Sequence, residues 1–243
     1  MPVGFDRRFA IPFNDAPYPK NPANPKSGYI ASFGTLVVAQ DGSGDFEKIQ
    51  PAIDELPAGG GIVLIKEGTW TITSAITITG NNVVLRGSGR GTKIQTSGNI
   101  NAIEVQHTGN MPIIENIYFR GSGNGNNTNT GIYLNSGEKA IIKDCYFENF
   151  GQFVINNLTS DEAIIINNII RINYASGILV QCDNNVVMGN VVVDNYGTAT
   201  GINITASTVD NTIVVGNYAN NNATANFANK GTDTQIGHNI FTT

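Results

Sequence analysis

Six short segments in the second half of the chain repeat one another: IIENIYF (113–119), IIKDCYFEN (141–149), IINNIIRIN (165–173), VMGNVVVDN (187–195), VVGNYANNN (214–222) and QIGHNIFTT (235–243). Each joins a run of β-forming residues to a polar bend. An amide or acid recurs at Asn116, Asp144, Asn168, Asn190, Asn217 and Asn239, at intervals of 28, 24, 22, 27 and 22 residues. A second set keeps step with the first: GIYLNSG (131–137), FVINNLTS (153–160), GILVQCD (177–183), GINITAS (201–207) and ANFANKG (225–231). A unit this short, with no helical period inside it, cannot bury an apolar face alone and must stack on its neighbours. The expected fold is therefore all-β, a single-stranded parallel β-helix of roughly six or seven coils with strands ~4.8 Å apart. Ile, Val, Leu and Phe stack inward, and the six polar corner residues stack as a ladder of side-chain amides.

Composition agrees. Only 14% of the 243 residues are charged while 40% are hydrophobic, so the chain is neither disordered nor helix-rich in character. Asparagine is absent from residues 25–80 and occurs thirty times afterwards, where corners need a residue that tolerates left-handed backbone. The net charge of −5, without a Lys/Arg cluster, gives no electrostatic case for nucleic acid. No run of ~18 apolar residues exists, so no membrane insertion is expected. The N-terminal residues lack an apolar run of signal-peptide length. The expected location is a virion or cell-surface assembly, otherwise the cytoplasm. Cys145 and Cys182 read as small buried apolar residues.

Three zones follow from composition. Residues 1–34 hold six of the nine prolines among Phe5, Phe9, Phe13, Tyr18, Tyr29 and Phe33. This reads as an extended arm, and so many aromatics imply that it lies on something apolar. Self-association, as a trimer, or docking into a larger assembly is expected through it. Residues 35–80 hold a helix, with Phe46, Ile49, Ile53 and Leu56 on one face, and first strands in IVLIKEGTWTI. Asp45 is placed to cap that helix, with Lys48 where a capping box wants Glu. Residues 81–243 are the repeats.

Over residues 38–243 this pattern resembles the right-handed parallel β-helix of the pectin-lyase-like superfamily. The stretch QDGSGDFEKIQPAIDELPAGGGIVLIKEGTW is similar to the entrance segment shared by pectinesterases, family 3 pectate-lyase-like domains and many phage tailspikes. The resemblance implies that the helix, through Asp45, Phe46, Ile49 and Ile53, caps the first coil. It fixes no activity, because the superfamily holds lyases, hydrolases, esterases and tailspikes. Pectinesterases carry aspartates in Q-D-T-L and D-F-I-F-G type motifs and a G-R-P-W arginine, and none of these occurs here.

Glycoside hydrolysis needs two carboxyl groups about 5–10 Å apart. An acidic corner does recur, at Glu138, Asp161, Glu162, Asp183, Asp210 and Asp233. Its spacing follows the coil period, so neighbours should stack along one edge about 5 Å apart. Asp161, Glu162, Asp183 and Asp210 are the candidate catalytic carboxylates; the same edge could bind Ca²⁺ through hard oxygen ligands. The competing account is that Asp and Asn close tight bends. No other cofactor is implied. Lys143 and Arg171 fall near each other in the aligned repeats and could supply a lyase base. The glycine-rich GSGNGNNTNTG (121–131) is the longest insertion and the favoured loop for contacting a ligand.

Two functions remain: a structural or adhesive module of a phage or virus surface, with a possible polysaccharide ligand, or a polysaccharide lyase or glycoside hydrolase of tailspike type.

Overall fold

The computed structural model describes residues 34–123 and 129–242, leaving aside the side chains of 107–110; the proposed arm therefore lies outside the described residues up to position 33. The chain winds as a three-sided coil. Face one carries β1 (Gly34–Val38), β2 (Gly61–Ile65), the first parts of β5 (Val83–Thr96) and β7 (Ile113–Arg120), then β9 (Ile141–Lys143), β12 (Ile164–Ile166), β15 (Val186–Met188), β18 (Ile213–Val215) and β21 (Gln235–Gly237). Face two carries β3 (Gly68–Ile72), the second parts of β5 and β7, then β10 (Tyr146–Glu148), β13 (Ile169–Arg171), β16 (Val191–Val193), β19 (Tyr218–Asn220) and β22 (Ile240–Phe241). Face three carries β4 (Ile76–Ile78), β6 (Ile103–Asn110), β8 (Ile132–Glu138), β11 (Ile155–Asn157), β14 (Ile178–Val180), β17 (Thr200–Ile204) and β20 (Ala225–Asn229). Neighbouring strands pair in parallel throughout, so the fold is the expected parallel β-helix.

Face two has eight rungs, more than the repeats alone suggest, and the stack is about 34 Å tall at the usual strand spacing. The extra coil comes from β2, β3 and β4, which the sequence encodes without the asparagine corner. They pair directly with β5 and β6, so the sheets run unbroken across residue 81.

Parallel register stacks like on like. Val63, Leu85, Ile114, Ile142, Ile165, Val187 and Val214 form the inward column of face one, all essentially inaccessible to solvent. On face two the column runs Trp70, Ile94, Phe119, Phe147, Ile170, Val192 and Ala219. The Phe119 and Phe147 rings stack with centroids 5.0 Å apart.

The cap is shorter than its apolar spacing predicts. α1 spans Ile49–Asp54 and buries Ile49, Ala52 and Ile53, while Phe46 lies before it, buried and bridged to Val38. Asp45 does not cap the helix. Its carboxylate accepts a hydrogen bond from the Val37 amide at 2.8 Å, and Lys48 holds the N-cap position without a side-chain bond. The bridge to Val38 keeps residues 45–46 extended against β1, so the helix starts three residues later than Asp45 would allow. α1 also protects the open edge of face three. Gln50 accepts a bond from Thr77 N at 2.7 Å and donates one to Thr77 O at 3.0 Å, standing in for a missing strand beside β4.

Each corner places one residue per coil in the left-handed region. Between faces one and two these are Asn116, Asp144, Asn167, Gly189, Gly216 and His238, with φ from 51° to 66°. This corrects the expected ladder. Asn116 and Asp144 occupy the left-handed position, and the stacked position is the residue after it: Cys145, Asn168, Asn190, Asn217 and Asn239. Asn168 Nδ2 donates to Asn190 Oδ1 at 3.0 Å, Asn190 to Asn217 at 3.0 Å, and Asn217 to Asn239 at 2.9 Å. A second ladder, Asn173–Asn195–Asn222, lines the corner between faces two and three. The left-handed residue before Asn173 is Ile172 at φ 57°, a costly place for a β-branched side chain.

Candidate functional site

The sequence-predicted carboxylates do stack along one edge, where face three turns into face one. Their oxygens are engaged in holding the coils together. Asp161 Oδ1 accepts from the Asp183 amide at 2.8 Å, and Asp183 Oδ1 from the Asp210 amide at 2.9 Å. Asp210 in turn takes the Thr232 hydroxyl. Glu162 is the left-handed corner residue of its coil and faces Lys139 at 3.7 Å, both well exposed. Asp161 and Asp183 thus bond the main chain of the next coil and Asp210 a side chain there, the turn-closing role of the residue type repeated once per coil. Among the described residues no group of three or more His, Cys, Asp or Glu is arranged to hold a metal ion.

Lys143 and Arg171 are separated. Lys143 ends β9 on face one and Arg171 ends β13 on face two. Alignment of the repeats put them close because one repeat spans both faces across the corner. Lys143 instead reaches Glu115, with Nζ 2.8 Å from Oε2, and Arg86 binds the same carboxylate from the other side. Register dictates this triplet, since Arg86, Glu115 and Lys143 are partners on successive strands. Burial of Glu115 works against its charge, but the Lys143 and Arg86 bonds outweigh it and hold the carboxyl below its ordinary value. A group depressed in the folded state adds stability above its unfolded value, and that stability is lost as pH falls through the folded one. Urea midpoints of wild type and Glu115→Gln are therefore expected to differ most near neutral pH and to converge below about pH 4.5. A gap that does not change with pH would show that this ion triplet is not linked to folding.

Burial pushes the Cys145 thiol up to about 12 and the Cys182 thiol up to about 11. Neither is a nucleophile near neutral pH. Both are free thiols.

Among the described residues, one concavity on the side of the coil lies on face three. Asn101, Thr130, Tyr133, Gln152 and Asn156 line a groove of about 250 Å³, just under the ~300–1,000 Å³ common for drug-sized ligands. Tyr133 and Asn156 are register partners on β8 and β11, so their side chains stand outward on adjacent coils. Asn101, Thr130 and Gln152 come from the corners before β6, β8 and β11. The glycine-rich insertion 121–131 leads into β8, which puts Thr130 at the groove wall; residues 124–128 lie outside the described residues.

Hydrogen bonds order the lining. Thr130 N donates to Asn101 Oδ1 at 2.9 Å, and Thr130 Oγ1 to Gln152 Oε1 at 3.4 Å. Asn101 Nδ2 and Gln106 Nε2 both donate to Glu104, at 2.8 and 2.6 Å. Gln181 Nε2 holds Asn156 Oδ1 at 3.1 Å. The groove therefore offers fixed amides, a hydroxyl and one aromatic face beside a single clamped carboxylate. That set can bind hydroxyl groups. Among the described residues the lining holds no carboxyl group, whereas glycoside hydrolysis requires two. Sequence reasoning did not single out Tyr133 and Asn156. Their signal is the outward position of the second repeat set, readable only once the strand register is known.

A larger cavity of about 430 Å³ lies at the capped end, between α1 and the β3–β4 segment.

The family model described as right handed beta helix region matches residues 60–241. A probable pectinesterase/pectinesterase inhibitor 17 of Arabidopsis thaliana is 31% identical over 121 residues, 46% of this chain and 23% of that protein. The chain thus spans about a quarter of that curated relative. Among solved structures, the Agl-KA catalytic domain aligns with a TM-score of 0.65 at 21% identity, covering 86% of this chain and 43% of that one. Pectin methylesterase PemA from Erwinia chrysanthemi aligns with a TM-score of 0.52 at 16% identity, covering 75% and 65%. At these identities the structural likeness carries the fold alone.

Proposed function

Since the chain belongs to the right-handed β-helix family, we propose that it is a non-catalytic structural and adhesive module, part of a virion or cell-surface assembly, that binds a polysaccharide in the groove of face three. The observation that carries this reading is the groove's lining of pre-ordered amides, a hydroxyl and Tyr133, with the clamped Glu104 beside it. Sugar hydroxyls suit such a surface, and the stacked aspartates of the neighbouring edge are occupied as coil fasteners. Anchoring through residues 1–34 and assembly as a trimer belong to the same proposal. They are supported by the proline–aromatic composition of that segment and by exposed apolar residues on two faces: Met188, Ile213 and Ile236 on face one, Ile169 and Ile240 on face two.

A second reading is a polysaccharide-acting enzyme, a lyase, glycoside hydrolase or esterase. It is favoured by the similarity of the chain to a probable pectinesterase and of its fold to a pectin methylesterase. One experiment separates the two. The protein is titrated with neutral and pectic oligosaccharides while reducing ends, methanol release and unsaturated products are followed. Binding without product, lost in Tyr133→Ala and Asn156→Ala, is the expected result. Product that disappears in Glu104→Gln or Asp183→Asn would replace the binding reading with the enzymatic one.

A further inference from the structure

We propose a second ligand site, for an anionic polysaccharide, on the outer surface of face two where the coils of β5, β7 and β10 meet. It rests on the reading of the protein as a polysaccharide binder. Lys93, Tyr118 and Tyr146 are register partners on three successive coils. The two tyrosine rings meet edge to face at 5.0 Å. Arg90 comes from the segment between the two halves of β5 and lies over both rings, 4.1 Å from the Tyr146 centroid and 5.8 Å from that of Tyr118. Lys93 Nζ sits 5.1 Å from the Tyr118 centroid.

The platform is rigid. Tyr118 donates its hydroxyl to Glu148, and Tyr146 does so at 3.4 Å. Burial, with the Glu148 charge beside it, raises the Tyr118 hydroxyl well above its ordinary value, so it stays protonated and donating. Arg120 closes the group at 3.6 Å from Glu148. Stacking occupies one face of the Arg90 guanidinium and leaves its in-plane N–H donors for a carboxylate or sulfate.

Charge is concentrated here although the whole chain is acidic. Arg90, Lys93 and Arg120 stand on this face beside one carboxylate, Glu148, which Arg120 engages. Among the described residues Arg90 and Lys93 have no carboxylate partner. Arg171 follows Ile170, the partner of Phe147, and its Nε is buried without a hydrogen-bond partner. Arg90 and Lys93 from one coil and Arg120 from the next, ~4.8 Å away, grouped at two tyrosine rings, match a polymer that carries an anionic group on its sugar rings. The patch is too short to track a nucleic-acid backbone, which needs a longer run of phosphate contacts.

The test is titration calorimetry of the intact chain with polygalacturonate, dextran sulfate, neutral dextran and single-stranded DNA, at low and high salt. Wild type is expected to bind one or both of the anionic polysaccharides more tightly than DNA, with the carboxylate and sulfate arms showing which anion is preferred. Arg90→Ala/Lys93→Ala should weaken that binding by about tenfold or more, the loss expected for a charge-assisted contact. Arg90→Lys should fall between, and Lys230→Ala should match wild type. Circular dichroism should show all variants folded, since both side chains stand outside the core. Equal polyanion binding by the double variant, no polyanion binding by wild type, or tighter binding of DNA would overturn the proposal. Polyanion binding that survives Tyr133→Ala, in a chain that ignores neutral glycans, would leave this site standing while the face-three reading falls.

Discussion

Phe147→Ala is expected to destabilise the chain by about 4 kcal/mol, the range for truncating a buried aromatic. The ring is fully buried. It stacks on Phe119 at 5.0 Å and tilts against Phe150 with centroids 6.4 Å apart. A cavity there cannot collapse easily. The neighbours above and below are held at strand spacing by the backbone ladder, and Gly131 already packs at that ring. Phe147→Leu keeps most of the volume and should cost less than half as much. Urea unfolding followed by circular dichroism reads both. Because each coil touches only its neighbours, the truncation should also broaden the transition, as the two halves of the stack begin to unfold separately. A loss below about 1 kcal/mol would mean that the face-two column is not the core it is described to be.

Asn190→Ala comes next in size, at about 3 kcal/mol. Asn190 is completely buried. Its Oδ1 accepts from both Asn168 N and Asn168 Nδ2, at 2.9 and 3.0 Å, and its Nδ2 donates to Ile165 O and Asn217 Oδ1, at 2.9 and 3.0 Å. Alanine leaves those partners dry and unpaired. Asn190→Asp keeps the shape but aims a charge at two acceptors, so it should be at least as damaging. Asn211→Ala is the control. That residue is exposed, with one long bond of 3.3 Å to Asn184, and sits at a left-handed corner with φ 54°, so the change should cost about 1 kcal/mol from backbone strain alone, well below the effect at 190. Equal effects at 190 and 211 would show that burial within the ladder contributes nothing.

These two sites mark where sequence reasoning held and where it slipped. Asn168, Asn190, Asn217 and Asn239 were legible as a ladder because recurrence at coil period implies stacking. Asn116 and Asp144 were drawn into it in error. Asn and Asp suit two adjacent corner positions for different reasons, one for tolerating left-handed backbone and one for bonding the next amide. Cys145 holds the stacked position in its coil, and nothing about a cysteine announces that. Asp45 slipped in a similar way. Its carboxylate can cap a helix or a strand amide, and the Val38–Phe46 bridge decided for the strand.

The sequence by itself determined the solenoid, because short apolar runs repeated every 22–28 residues have no way to be buried except on one another. It also determined which residues fill the core and that acids would align along one edge. Only the tertiary structure decided what those residues do. Register sends Asp161 and Asp183 to the next coil's amides, pairs Glu115 with Arg86 and Lys143, and lays Arg90 across Tyr118 and Tyr146. It also brings Asn101, Tyr133 and Asn156 to one groove. Those contacts join residues one coil apart, and the distance between them along the chain varies with each corner's length. A one-residue difference at a corner moves a side chain from bonding to turning, or from inside to outside. That offset is settled by the paired backbone, which the linear pattern does not contain.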